Sequence, residues 1–121
     1  MDLIFELLDG GLVVVDIKSM DPDMWARLEQ PSAKDIVQIQ IYIWLMNARY
    51  GILRYVNKGK QKTTPKEFTL TPDPKVEKWV RTYISTVREL VEARRWEDIG
   101  GVCNKKTQVR AKRCPFSFLC F

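Results

Sequence analysis

The sequence contains no histidine among its 121 residues. That absence excludes a Ser-His-Asp triad, a Cys-His nucleophile pair and every His-ligated zinc site. Any chemistry here must run on carboxylates, lysine, tyrosine, cysteine or a metal held by oxygen atoms. Cysteine is scarce and oddly placed: Cys103, Cys114 and Cys120 all fall near the C-terminal end, spaced C-x10-C-x5-C with no C-x-x-C. An odd count argues against a secreted disulfide framework and for a reduced, cytoplasmic chain. Long apolar runs are missing too. The longest charge-free apolar stretch, Ile36–Met46, is interrupted by Gln38 and Gln40, and it falls short of the roughly 20 residues that span a bilayer. Asp2 and Glu6 stand where a signal peptide would be basic, so no secretory signal is expected.

What remains is ordinary globular material, with 45% hydrophobic and 29% charged residues, enough for one domain. Lys and Arg total 20 against 15 acids, a net charge of +5. The surplus is clustered. Arg49, Arg54, Lys58, Lys60, Lys62 and Lys66 follow one another with no acid between them, and Lys105, Lys106, Arg110, Lys112 and Arg113 form a second acid-free run. Such runs suit a polyanion, with nucleic acid the common one; the plainer alternative is a solvated surface.

Along the chain, Leu3–Leu8 and Leu12–Lys18 read as strands joined by an Asp9-Gly10-Gly11 turn. The second strand opens Leu-Val-Val-Val, apolar on both faces, which predicts a central position in its sheet. Ser19–Gln30 reads as a loop with a short helical turn. Ser32 is an N-cap candidate for a largely buried helix running to about Tyr50, with Gly51 as its stop. Ile52–Asn57 and Lys66–Thr71 read as further strands, the last an outer one. Asp73 or Pro74 opens a second long helix that ends near Trp96. The order is β-β-α-β-β-α, an α/β (α+β) fold with a small mixed sheet flanked by helices. Residues 1–100 are expected to form the core, and 101–121 a basic, cysteine-bearing tail on the same domain.

The sharpest chemical signal is at the end of the second strand. Side chains two apart on a strand share a face, so Asp16 and Lys18 point the same way. Either the strand surfaces there and both are solvated, or Asp16 binds a divalent cation and Lys18 serves a reaction beside it. Asp2 lies before the first hairpin strand, and the hairpin can bring it to the same end of the sheet. Two converging carboxylates suit Mg²⁺ or Mn²⁺. Gln38 and Tyr42, four apart, share one helix face. They read either as a structural pair or as groups that hold a nucleic-acid strand.

This ordered set resembles the PD-(D/E)XK nuclease superfamily, whose fold is the restriction-endonuclease-like core. The similarity is to the RecB-like branch that includes CRISPR-adaptation and phage exonucleases. Asp2 matches the first carboxylate, Asp16 and Lys18 the D-x-K pair, and Gln38 and Tyr42 the helix motif, over roughly residues 2–58. The resemblance implies that the Ile17 carbonyl also faces the metal and that the chain is a metal-dependent DNA nuclease, with exonuclease action favoured. On this reading the two basic runs hold the DNA backbone. The ending is similar too: Cys114-Pro115-Phe116 followed by Cys120 matches branch members that carry a [4Fe–4S] cluster. Ala111 stands where a further ligand is usual, and Cys103 is a candidate substitute. A cluster takes four thiolates, so three predict a remnant, or a site completed by another chain. The family core normally begins with a helix ahead of the first carboxylate, and only Met1 precedes Asp2 here. The expectation is therefore a fragment of a longer protein, or a minimal member that pairs as a homodimer or in a larger nuclease assembly. Two alternatives stand beside the enzyme: a catalytically impaired, nuclease-derived nucleic-acid-binding or assembly module, and a metal-bound interaction protein in which D-x-K is coincidental.

Overall fold

A computed structural model describes residues 2–59, 62–98 and 109–113. Four strands, β1 (Leu3–Glu6), β2 (Leu12–Met20), β3 (Tyr50–Asn57) and β4 (Lys66–Leu70), form one sheet in sequence order. β1 and β4 pair antiparallel with their neighbours, whereas β2 and β3 run parallel. A parallel pair needs a crossover. Here it carries two helices, α1 (Pro22–Arg27) and α2 (Ala33–Met46). The long α3 (Pro74–Glu92) follows β4, and then come a 3-10 turn (Trp96–Asp98) and α4 (Val109–Arg113). The chain divides into two units, Met1–Arg81 and Thr82–Phe121. Among the described residues no helix is long and apolar enough to cross a membrane.

The mixed α+β architecture agrees with the element order read from the sequence, with differences that have local causes. α1 forms because Pro22 sits at its first positions, where a missing N–H costs nothing. Its end is fixed from far away: the Lys66 ammonium takes the carbonyls of Trp25 at 2.8 Å and Leu28 at 2.9 Å. That ammonium also lies 4.5 Å from the Trp25 ring centre. Lys66 is thus a helix cap and not part of an open basic surface. α2 starts where Ser32 Oγ accepts the Asp35 N–H at 3.2 Å. It stops at Asn47, left-handed at φ 48°, earlier than Tyr50. Ala48 then turns into the core and the Arg49 N–H bonds the Leu12 carbonyl, which starts β3 at Tyr50.

Strand alternation and register divide the sheet into two faces. The inner face carries Val14, Asp16 and Lys18 from β2, and Gly51, Leu53 and Tyr55 from β3. α2 packs on it, and Val14, Ile39, Ile43, Ala48, Leu53 and Tyr55 make the buried core. Burying such side chains supplies most of the driving force for this layer, about 1.5–3 kcal/mol each. Gln40 is also buried. Its amide donates to the Thr71 carbonyl at 2.8 Å and accepts the Asp73 N–H at 2.9 Å, which fastens the β4–α3 connection to α2. On the outer face lie Leu3, Phe5, Val13, Val15, Ile17 and Ile52.

Gly51 sets how closely α2 approaches the sheet. A Cβ there would stand 2.7 Å from Ile39 Cγ1 and 3.0 Å from Ile43 Cδ1, both on buried core side chains. Gly51→Ala should therefore lower stability by about 1–3 kcal/mol in urea denaturation, through overpacking.

Candidate metal and nucleic-acid site

Asp16 occupies the last inner-face position of β2 that is fully covered, with 3% of its surface exposed. An unpaired carboxylate there would cost several kcal/mol. Lys18, two residues on, supplies the opposite charge: its Nζ lies 2.9 Å from Asp16 Oδ2. The ammonium also donates to Gln38 Oε1 at 2.6 Å. Asp16 Oδ2 thus has the ammonium as its charge partner. Burial pushes the Lys18 ammonium down, and the Asp16 carboxylate more than offsets this, leaving it above the ordinary lysine value.

The hairpin delivers Asp2. The β1–β2 register sets Leu3 opposite Val15, and the Asp2 N–H continues it by bonding the Val15 carbonyl at 3.1 Å. The Asp2 carboxylate then accepts the Ile17 N–H at 2.5 Å, and this bond is the main reason its pKa lies below the usual carboxylate value. Continued by one step, the same register sets Asp2 beside Asp16 on the inner face. In an extended strand the N–H and C=O of one residue point to the same side. The Ile17 carbonyl is therefore directed to the side from which Asp2 approaches. On α2, the Gln38 amide donates to the Tyr42 hydroxyl at 2.8 Å, so one chain of contacts runs Asp16–Lys18–Gln38–Tyr42.

Two carboxylates and one backbone carbonyl are oxygen donors of the kind a hard cation takes. Among the described residues no cluster of three or more His, Cys, Asp or Glu side chains exists.

Asp2, Asp16, Ile17, Lys18, Gln38 and Tyr42 are thus brought together. The basic residues are not gathered in the same way. Arg54 lies on the outer face and pairs with Glu67 across the strands at 2.9 Å. Lys58 follows the end of β3 and Lys62 stands in the β3–β4 connection, and among the described residues neither makes an ion pair. Arg49, from the same run, pairs with Asp9 of the hairpin turn. Arg110, Lys112 and Arg113 lie on α4 in the second unit. Lys60, Lys105, Lys106, Cys103, Cys114 and Cys120 lie outside the described residues.

Asp35 is a group that sequence reasoning missed. Its Oδ1 is 4.0 Å from Lys18 Nζ, and its Oδ2 accepts the Tyr55 hydroxyl at 2.7 Å. The available signal was its spacing: Asp35, Gln38 and Tyr42 fall at i, i+3 and i+7, one face of a helix.

No protein-family model matches the chain, and no curated protein matches it in sequence. Among solved structures it is similar to the protein SSO0001, with a TM-score of 0.59 and 23% identity. The match covers 97% of this chain and 47% of that one, so this chain spans about half the length of SSO0001. That likeness is one of fold: a small mixed sheet with flanking helices.

The electrostatics of the pair predict a non-additive mutant series. In the absence of divalent cations, Lys18→Met should destabilise the protein by about 2–4 kcal/mol, because it strands the Asp16 charge. Adding Asp16→Asn to Lys18→Met should recover much of that loss in denaturant melts. Additive losses would mean that the two charges do not depend on each other.

Proposed function

We propose that this chain is a divalent-metal-dependent DNA nuclease, or the catalytic core of one, of the RecB-like branch of the PD-(D/E)XK superfamily. The observation that supports it most is the convergence of Asp2 and Asp16 at the open end of a hairpin, with Lys18 against Asp16 and Gln38 against Lys18. Asp2, Asp16 and the Ile17 carbonyl would hold Mg²⁺ or Mn²⁺. The cation would polarise a phosphodiester and lower the pKa of a water bound to it.

The other roles belong to the protein. Lys18, charged and fixed by two partners, orients the attacking water and offsets negative charge as it builds on the phosphoryl oxygens. Gln38 sets the direction of the Lys18 ammonium, and Tyr42 sets the direction of Gln38. Their polar tips then face the strand to be cut. Of the described residues of the first basic run, Arg49 and Arg54 are committed to acids and Lys66 to the carbonyls of α1, whereas Lys58 and Lys62 remain for phosphate contacts. Exonuclease action is the form of the reaction that the family resemblance favours.

Incubation with end-labelled single- and double-stranded DNA tests the proposal. Cleavage should require Mg²⁺ or Mn²⁺, stop with EDTA and vanish in Asp16→Ala, while DNA binding by that variant persists. A folded wild-type protein that binds DNA without cutting it would point instead to the binding-module alternative.

We also propose that the partner is a second copy of the chain, seated against β1 at the edge of the sheet, since the outer face at Val13 and Val15 is already covered within the chain. There Leu3 and Phe5 are about half exposed, at 45% and 53%, beside Ile17. Sedimentation velocity should show a dimer that Phe5→Lys converts to monomer.

A further inference from the structure

Lys18 lies among three oxygen groups: the Asp16 carboxylate, the Gln38 amide and the Asp35 carboxylate. Asp35 is held at both its backbone and its side chain. Its backbone N–H is bonded to Ser32 Oγ in the first turn of α2, and only 17% of its side-chain surface is exposed. Its Oδ2 takes the hydroxyl of Tyr55, a residue 1% exposed that stands opposite Lys18 in the β2–β3 register. The Tyr55 ring meets Phe68 edge-on at 5.8 Å, and the Tyr55 carbonyl takes the Trp25 indole N–H at 3.1 Å. The hydroxyl therefore has little freedom to leave. Burial and the Asp35 charge push its pKa up, which keeps it a donor.

The first turn of α2 favours an acid at this position, and the Tyr55 hydroxyl fixes which way that acid points. Its remaining oxygen, Oδ1, points its charge at Lys18 from 4.0 Å, just outside contact. Resting on the metal-dependent reading above, we infer that Asp35, fixed by Tyr55, is a positioning residue that retains the Lys18 ammonium once a divalent cation occupies Asp16. A cation there neutralises the Asp16 carboxylate and repels the ammonium. Gln38 offers a dipole and no charge. Asp35 is then the carboxylate left within reach among the described residues, and a shift of about 1 Å brings Lys18 onto it. Asp35 touches neither the cation nor the substrate; it acts through Lys18.

The test uses the full chain labelled with ¹⁵N-lysine and ¹⁵N-isoleucine. The Lys18 ammonium signal is identified by its loss in Lys18→Met, and the Ile17 amide reports cation binding during titration with Mg²⁺ alone. In the wild type the ammonium signal should survive saturation. In Asp35→Asn it should be present without Mg²⁺ and disappear at saturation. Tyr55→Phe, which keeps the buried ring, should weaken it in the same direction, and Asp35→Glu should restore it. In the cleavage assay Asp35→Asn should lower kcat about tenfold or more, with KM within about twofold. An Ile17 amide that ignores Mg²⁺ would overturn the metal-dependent reading and this inference with it. An Ile17 amide that responds, with a Lys18 signal identical in wild type and Asp35→Asn, would overturn the positioning role alone.

Discussion

The buried carboxylate of Asp16 is the constraint on which the rest of this structure turns. A charge with 3% exposure is tolerated because Lys18 stands beside it on the same strand face. That pairing obliges the ammonium to be partnered in turn, and Gln38 does so from α2. The helix that closes the core thereby also closes the polar site. Packing and site chemistry share one surface, so α2 cannot move relative to β2 without disturbing both.

The fold serves this arrangement at several removes. Gly51 admits α2 to the sheet closely enough for Gln38 to reach Lys18. The parallel β2–β3 pairing sets Tyr55 opposite Lys18, and Tyr55 holds Asp35. Lys66 and Trp25 fix the end of α1 against β3, from the far edge of the sheet. The polar atoms around the site are held by groups that are themselves held. That is the condition under which a small domain can keep opposite charges close without water between them.

Much of this was legible in the amino-acid order. The Leu-Val-Val-Val run marked β2 as central, alternation put Asp16 and Lys18 on one face, and Ser32 capped α2 where its chemistry suggested. These are local rules of periodicity and capping, and the sequence states them directly. What it left out is tertiary. The serviceable-looking basic run is partly consumed by pairings with Asp9 and Glu67 and by the carbonyls of α1. Asp35 looked like a routine acid in a first helical turn, because its partner Tyr55 lies on another element. The end of α2 came early because Ala48 was needed inside the core, a demand that no local signal announces. The enzymatic reading rests on chemistry and resemblance, and the fold is compatible with it.

The hairpin has an evolutionary consequence. Asp2 meets Asp16 through the β1–β2 ladder and not through the turn that joins the strands. Leu8, Asp9 and Gly10 can therefore vary in number and identity while the two carboxylates stay together, provided the ladder stays in step. A single residue added within β1 would do the opposite. It would turn every side chain before it to the other face and carry Asp2 away from its partner. Homologous chains should thus tolerate length changes at the hairpin tip and resist them between Leu3 and Glu6.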